Sequence, residues 1–188
     1  MFRDGPLSRR PPEKIRYGTG KCALGRVLVA LSDKGIVSIM IREQAARLAA
    51  DLKTRFPKAE LVQDEKGCAP VVAKVLKYIA APAGRFPLPL DIRGTELQKR
   101  VWNEVRKIPL GGSSTYTKIA AAIGAPKAIR AVANSCSRSW FAFAVPCHRV
   151  LHKAPSRKDG RQYRWVAYET KLLARRGKAA LTRLPFSE

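Results

Sequence analysis

The sequence predicts an α+β protein in two parts, a small mixed scaffold followed by a mostly helical half that carries the chemistry. Three observations predict this order: a hairpin pattern around Asp33-Lys34-Gly35, a proline-broken extended stretch at Phe86–Ile92, and a succession of capped helical patterns after it. A chain of 188 residues is long enough for one large or two small domains. We divide it into a flexible basic tail (1–14), a scaffold domain (15–85), a linker (86–94) and a helix-turn-helix domain (95–188).

The first half alternates short apolar runs with helical patterns. Arg26–Ser32 and Gly35–Ile41 are the two arms of the predicted hairpin. Glu43–Phe56 has apolar residues at helical spacing and precedes a proline that ends the pattern. Ala59–Val62 is a weak strand pattern, and Val71–Ile79 is a second helix. No motif with chemical meaning falls in this half, so we interpret it as a scaffold.

The second half opens with helix-capping signals. Thr95 is followed three residues later by Gln98, the signature of a capping box. Ser114 or Thr115 can cap the next helix, Tyr116–Ile123. The first of these helices turns five apolar residues toward a core: Leu97, Val101, Trp102, Val105 and Ile108.

Two short helices separated by Gly124-Ala125 predict a helix-turn-helix, although helical hairpins of other kinds share this pattern. The second helix, Pro126–Ser137, begins at a proline and is predicted to bury Ile129, Val132, Ala133 and Cys136. Its outer face combines bases with small residues, which let a backbone approach a groove closely. That face consists of Lys127, Arg130, Ala131, Asn134 and Arg138.

The stretch Ala144–Leu151 contains the residues with the clearest chemistry. The apolar run Trp140–Val145 predicts a buried strand, and Pro146 ends it because proline has no N–H. Cys147 follows at the rim of the predicted core, where a thiol is enclosed yet reachable, and His148 stands next to it. An isolated cysteine is ordinarily a buried, inert one. The neighbouring histidine and arginine favour a reactive thiol instead.

The charge of the chain predicts a polyanionic partner. The formal net charge is +23, and no acid occurs between Glu104 and Asp159, whereas ten lysines and arginines do. This concentration of positive charge surrounds Cys147 and is typical of nucleic-acid binding. A merely solvated basic surface is one competing interpretation. A generic RNA-binding protein is another, but the interleaved aromatic residues of a base-stacking surface are missing.

The cysteines argue against a metal site. Cys22, Cys68, Cys136 and Cys147 are widely spaced without a C-x-x-C pair, and the chain has only two histidines. We expect no metal and no cofactor. Residues 1–14 lack the apolar core of a signal peptide, and no apolar run approaches membrane length. We therefore expect a cytoplasmic, nucleoid-associated monomer with no membrane partner, in a reducing compartment that keeps a reactive thiol free.

Pro146-Cys147-His148-Arg149-Val150 resembles the active-site signature of the O6-alkylguanine-DNA alkyltransferases, also called methylated-DNA–protein-cysteine methyltransferases. The match is closest to the C-terminal half of the bacterial Ada type and extends from residue 15 to residue 176. The resemblance implies a ribonuclease H-like N-terminal domain and a winged helix-turn-helix DNA-binding domain. Further matching segments are Pro87–Thr95, Gln98, Val101-Trp102, Ile108-Pro109, Tyr116, Pro126-Lys127-Ala128, Arg130-Ala131-Val132 and Tyr163-Arg164-Trp165.

The resemblance implies a DNA repair reaction without a cofactor. The partner is double-stranded DNA with an alkylated guanine, and O4-alkylthymine is a second expected substrate. Cys147 takes the alkyl group from guanine O6 once per molecule, and His148 deprotonates the thiol through a water molecule. The guanine must first be rotated out of the duplex. The residues implied to form its pocket are Tyr116, Val150, Tyr163 and Arg164, the last through its backbone N–H.

The resemblance also assigns the helix-turn-helix to the DNA. Its second helix enters the minor groove, and Arg130 is an arginine finger that occupies the space of the extruded nucleotide. Ser139 stands at the hinge after this helix, where the family usually has an asparagine. The implied DNA-binding residues are Arg130, Lys127, Ala131, Asn134, Arg138 and Ser139.

Two further departures from the family pattern bear on activity. In the family a glutamate shortly after the Leu-Leu pair of the last helix orients the histidine, but Arg176 occupies that position here. Glu169 lies a turn before the pair, and nothing in the sequence predicts that it reaches His148. The loop Lys153–Gln162 is also longer than usual. Because a thiol depends less on its base than a hydroxyl does, we predict a slow but real transferase.

A binding module is the alternative function. A lesion-recognising or transcription-regulating DNA-binding protein that has lost transfer would explain the three departures from the family pattern. Retention of Cys147 and His148 favours the transferase. Alkylation of Cys147 by methylated DNA distinguishes the two.

Overall fold

A computed structural model describes residues 12–151 and 160–175, with only the backbone at positions 160–164 and 173. The first part is a four-stranded sheet in the order β3-β2-β1-β4, in which β4 runs parallel to β1 and the other neighbours are antiparallel. The predicted hairpin around Asp33-Lys34-Gly35 is confirmed as the β2–β3 connection. The strands are β1 (Lys14–Cys22), β2 (Gly25–Ser32), β3 (Gly35–Arg42) and β4 (Glu60–Gln63).

Two helices cover the two faces of this sheet, α1 (Ala46–Arg55) and α2 (Glu65–Ala80). Along β2, Val27 and Val29 belong to the core beneath α2, whereas Leu28 belongs to the core beneath α1. A strand buried on both faces has a continuous apolar run rather than an alternating pattern, which is why β2 is readable from the sequence.

The structure differs from the predicted N-terminal elements in two places. Helix α2 begins six residues earlier than predicted, because the Asp64 carboxylate accepts the Gly67 N–H at 2.8 Å and caps it. Strand β1 was not predicted, because two glycines interrupt its apolar pattern. At Gly18 a Cβ atom would lie 2.7 Å from Cys68 Cβ, so this glycine lets α2 pack closely on the sheet.

The second part is mostly helical, with a small two-stranded sheet. The predicted capping box at Thr95 and Gln98 is confirmed at the start of α3. The Trp102 indole N–H donates to the Ser135 carbonyl at 2.8 Å and holds α3 against α5. No helix in the described ranges is long and apolar enough to cross a membrane. The elements are α3 (Glu96–Val105), β5 (Ser114–Thr115), α4 (Tyr116–Ala122), α5 (Ile129–Ser137), β6 (Val150–Leu151) and α6 (Gly160–Arg175).

Helix α5 is shorter than predicted, and its first residue is exposed. It begins at Ile129 rather than Pro126. Ile129 is 39% exposed, so the prediction that it is buried is wrong, whereas Val132 and Cys136 are buried as expected. The difference follows from the start of the helix, because Ile129 occupies its first position, before the face that packs on α3 begins.

Candidate active site

The chain that leads to Cys147 is buried but is not a regular strand. Residues 141–145 are all less than one-tenth exposed. Only Phe141 forms a strand-like bridge, with Ile39 of β3. Phe143 then adopts a left-handed conformation with φ of 60°, which a bulky residue rarely adopts. The prediction that Trp140–Val145 forms a regular strand is therefore wrong. The prediction of burial is confirmed for residues 141–145.

Two tight turns bring the chain to Cys147. The Ala144 N–H donates to the Ala142 carbonyl at 2.7 Å around Phe143, and the Cys147 N–H donates to the Val145 carbonyl at 2.8 Å around Pro146. Such two-residue hydrogen bonds define γ-turns. Cys147–Arg149 then form one turn of 3-10 helix, which we call the Cys147 turn. Neighbouring side chains on a 3-10 turn are separated by about 120° rather than placed on opposite faces.

Cys147 lies in an enclosed site next to a second thiol. Cys147 is 9% exposed. A hydrogen bond with the Cys136 thiol and burial both raise the pKa of Cys147 well above its ordinary value. The Ser139 hydroxyl, buried and without another hydrogen-bond partner among the described residues, lowers the pKa of the same thiol. The resting thiol is therefore protonated at neutral pH, and it needs a base to become a nucleophile.

His148 faces a carboxylate that the sequence analysis did not assign to it. Its Nε2 lies 3.2 Å from Glu169 Oε1, and both side chains are almost fully buried. The ring is not aligned along an N–H axis toward any described acceptor, so this contact has the distance of an ion pair rather than the geometry of a strong hydrogen bond. The rings of Phe143 and Trp165 lie 5.1 and 5.9 Å from the imidazole and enclose it.

Arg149 holds Glu169 in place. Its Nε lies 3.0 Å from Oε2 and its Nη2 lies 2.5 Å from Oε1, a two-point contact, while Nη1 donates to the Ile108 carbonyl at 2.8 Å. Burial opposes ionisation of Glu169, but the close contacts with His148 and Arg149 lower its pKa to about 2. The carboxylate is therefore ionised at neutral pH and ties α6 to the Cys147 turn.

A small parallel sheet joins the strand before Tyr116 to the strand after the Cys147 turn. Val150, which follows the turn, pairs with Ser114 of β5, and Leu151 pairs with Thr115. Tyr116 comes directly after β5 at the start of α4, and its side chain is 7% exposed. Tyr116 and Val150, two of the predicted pocket residues, thus sit at the ends of adjacent strands.

The family model for the DNA-binding domain of 6-O-methylguanine DNA methyltransferase matches residues 96–177. The constitutive methylated-DNA–protein-cysteine methyltransferase of Bacillus subtilis is 33% identical over 137 residues, which cover 73% of this chain and 81% of that protein. The chain belongs to the methylated-DNA–protein-cysteine methyltransferase family. The predicted family resemblance is confirmed.

Other members of this methyltransferase family show the same likeness. The bifunctional transcriptional activator and DNA repair enzyme Ada of Escherichia coli is 40% identical over 164 residues, covering 86% of this chain and 45% of that protein. The chain thus spans about half the length of the Ada-type relatives. The O6-methylguanine methyltransferase of Mycobacterium tuberculosis matches with a TM-score of 0.67 at 27% identity, over 84% of this chain and 93% of that chain. The mixed α/β architecture is confirmed by this match.

All the predicted DNA-binding residues except Ser139, whose hydroxyl is buried beside Cys147, lie on one side of α5 and its flanks. Arg130 and Asn134 are exposed within the helix, and Ala131 is partly exposed. Lys127 precedes the helix and Arg138 follows it, both exposed. The other side of the helix carries Cys136 toward the Cys147 thiol. Helix α5 therefore connects the exposed basic surface to the enclosed site around Cys147.

Several predicted positions fall where the structure describes little or nothing. Tyr163 and Arg164 belong to α6, but their side chains lie outside the described residues. Arg176 and the loop positions 153–159 also lie outside them. Positions 160–162 of the predicted loop belong to α6. Among the residues that the structure describes, no group of three or more potential ligands could hold a metal ion.

The sequence analysis missed Glu169 as the partner of His148, and Cys136 as the neighbour of Cys147. The lone signal for Glu169 was its isolation, since it is the single acid between Asp159 and Glu188 in a strongly basic half. For Cys136, the helical pattern indicated a buried position but not its proximity to Cys147. Both contacts join elements that are distant in the chain, and a single sequence carries no record of such pairs.

Proposed function

We propose that this protein repairs alkylated duplex DNA by transferring the alkyl group from guanine O6, and from thymine O4, to Cys147. One observation carries the proposal: Cys147 and His148 share one turn of 3-10 helix, and the ionised Glu169 carboxylate contacts the His148 ring. Family membership supplies the substrate class. The reaction is stoichiometric, because a thioether has no hydrolytic exit.

The transfer step balances without a cofactor. His148 takes the thiol proton through a water molecule, and the Cys147 sulfur attacks the alkyl carbon. The S–C bond forms as the C–O6 bond breaks, and the electron pair of the broken bond stays with the guanine. Return of a proton to the displaced guanine ring then gives ordinary guanine. Because the resting thiol has a raised pKa, we assign the activation to proton removal inside the assembled site rather than to a standing thiolate.

Glu169 takes the role that the family pattern gives to a carboxylate at position 176. In this proposal it orients His148 and stabilises the imidazolium that forms when the thiol is deprotonated. Arg149 is a positioning residue, because it acts on the carboxylate and not on the base. We predicted slow transfer because Arg176 replaces the family's glutamate, which would leave His148 without an acidic partner. With Glu169 beside it, the proposal no longer needs a slow enzyme.

The pocket and the DNA surface complete the proposal. Val150 directly follows the Cys147 turn and begins β6, and Tyr116 directly follows the neighbouring β5. We assign these two residues, Tyr163 and the Arg164 N–H to one pocket. We propose that α4 and α5 form a winged helix-turn-helix that enters the minor groove, with Arg130 in the space of the flipped nucleotide. The sheet with α1 and α2 is proposed to be a ribonuclease H-like domain. We propose that the protein acts as a nucleoid-associated monomer.

Mass spectrometry of the Cys147 peptide tests this function. After incubation with duplex DNA that contains O6-methylguanine, the peptide should gain the mass of one CH₂ unit, and the DNA should regain guanine. Cys147→Ser should bind the same duplex and gain nothing. If the unsubstituted protein binds the methylated duplex and its Cys147 peptide stays unmodified after many hours, the protein is a binding module and the proposed transfer is wrong.

A further inference from the structure

The outer edge of the N-terminal sheet holds the chain just before the Cys147 turn. The Ile39 N–H donates to the Trp140 carbonyl at 2.7 Å, and the Ala142 N–H donates to the Ile39 carbonyl at 3.0 Å. The Ser38 hydroxyl donates to the same Trp140 carbonyl at 3.2 Å. We propose that Ser38 and this strand edge position Cys147 for alkyl transfer, an inference that rests on the proposed function.

A β-bulge directs the Ile39 backbone to this edge. Ser38 and Ile36 pair with consecutive residues of β2, so Val37 is one extra residue in β3. In a regular strand, residues three apart direct their N–H groups to opposite edges. Here the backbone N–H groups of Ile36 and Ile39 both donate at the outer edge of the sheet. Ile36 bonds to the 89–91 segment, and Ile39 bonds to Trp140. The bulge therefore reverses the hydrogen-bonding phase and makes the Ile39 position available to the segment that leads to Cys147.

Ser38 is buried, and its hydroxyl is committed to this contact. The residue is fully inaccessible. It pairs with Ala30, which lies in the core beneath α1, and Trp140 packs on the same core. A buried hydroxyl requires a partner, and the Trp140 carbonyl provides it. This carbonyl therefore accepts two hydrogen bonds from the sheet, one from a backbone and one from a side chain.

The chain between Trp140 and Cys147 has little freedom to absorb a displacement. It contains the two γ-turns around Phe143 and Pro146, and the Val145 N–H also donates to the Phe141 carbonyl at 2.9 Å. A shift at Trp140 is therefore passed on to the sulfur. Displacement of a reacting atom by about 1 Å can cost about a hundredfold in rate. The N-terminal sheet is thus more than a scaffold, because it fixes the path of the nucleophile.

Ser32 offers a matched control. Its hydroxyl also joins the sheet to the second half of the chain, since it donates to the Asp91 carboxylate at 2.7 Å. That contact holds the linker and not the segment before Cys147. Ser32→Ala and Ser38→Ala each remove one hydroxyl from the same sheet, and thermal unfolding of both variants shows whether their stabilities fall equally.

The test measures single-turnover transfer across a range of methylated duplex concentrations. We expect Ser38→Ala to lower the first-order constant at saturating DNA by about three- to tenfold, the value of one lost hydrogen bond. The half-saturating DNA concentration should not change, because the α5 surface is not altered. Ser32→Ala should change neither quantity. An unchanged constant in Ser38→Ala, or an equal loss in both variants, overturns the inference.

Hydrogen exchange gives a readout that does not depend on transfer. We expect the amides of Val145 and Cys147 to exchange faster in Ser38→Ala than in Ser32→Ala. Equal exchange in the two variants overturns the positioning role whether or not the protein transfers methyl groups. If exchange differs as expected but the unsubstituted protein transfers nothing, the strand edge does hold the segment and the proposed function is what fails.

Discussion

At the scale of single residues, the centre of the site is a buried charge arrangement of His148, Arg149 and Glu169. The Glu169 carboxylate is fully buried, and an isolated buried carboxylate would be strongly destabilising. The two-point contact with Arg149 compensates its charge, and the arginine in turn donates to a backbone carbonyl. His148 lies beside this pair, with its Nε2 3.2 Å from Glu169 Oε1.

Glu169→Gln should weaken both transfer and folding. Removing one partner of a buried ion pair leaves Arg149 uncompensated, which costs about 3 to 5 kcal/mol of folding free energy. Transfer should slow by about ten- to a hundredfold, because the base loses its orienting charge. The control is Glu104→Gln, which removes an acid that pairs with Lys107 at the surface and should change little. Equal effects of the two substitutions on transfer would contradict the assigned role.

The same pair makes the protein sensitive to acid. The folded pKa of Glu169 is about 2, below its ordinary value of 4.5. A depressed pKa contributes stability that is fully present above pH 4.5 and is lost as the pH falls toward 2. Chemical denaturation between these pH values should therefore show a steeper loss of stability in the unsubstituted protein than in Glu169→Gln. Parallel curves would contradict the low pKa.

Cys136→Ala should lower the pKa of Cys147. The hydrogen bond with Cys136 is the largest cause of the raised value, so its removal leaves burial as the main effect. The pH dependence of Cys147 alkylation by iodoacetamide, followed by peptide mass spectrometry, measures the change. Cys68→Ala, which removes a buried thiol beneath the N-terminal sheet, should leave the midpoint in place. A midpoint that stays or rises in Cys136→Ala would overturn this explanation.

At the scale of elements, the helices were more predictable than the segment that carries the nucleophile. Thr95 and Gln98 predicted the start of α3 because a capping box is a local pattern. The run Trp140–Val145 predicted a strand because apolar composition reports burial and not conformation. The left-handed turn at Phe143 follows two hydrogen bonds that join Trp140 and Ala142 to Ile39 of β3, which is about a hundred residues earlier in the chain. No local pattern encodes that contact.

Helix α5 gives a test that separates base flipping from chemistry. Arg130 is exposed on this helix and does not belong to the enclosed site around Cys147. If Arg130 replaces the extruded nucleotide as proposed, Arg130→Ala should reduce transfer from O6-methylguanine in duplex DNA by about tenfold or more. Transfer from the free O6-methylguanine base should not change. A similar loss with both substrates would show that Arg130 acts on the chemistry instead.

At the scale of the whole molecule, the charge of +23 and the exposed face of α5 predict binding that depends strongly on salt. Each phosphate contact contributes about −0.9 to the slope of log affinity against log salt on B-form DNA. Lys127→Ala and Arg138→Ala should each reduce the slope by about that amount. Lys53→Ala on α1, outside the α5 surface, serves as the control. Equal slopes for all three variants would place the DNA on another surface.

The division of the chain into a scaffold and a chemical half stays a prediction, and the hydrogen bonds between these two stretches were not predicted. Proline-broken residues 86–94 and the change in pattern after them indicated two parts. The structure shows that both the 89–91 segment and the segment before Cys147 bond to the outer edge of β3. The bulge at Val37 that permits this arrangement has no sequence signature.

The stoichiometry of methyl transfer tests the central claim most directly. Protein is mixed with an excess of duplex DNA that carries radiolabelled O6-methylguanine, and the label on Cys147 is followed to completion. We predict that transfer rises to one methyl group per chain and then stops, with the label in the Cys147 peptide alone. Label that stays on bound DNA, or transfer that continues beyond one per chain, would contradict a single-use nucleophile at Cys147.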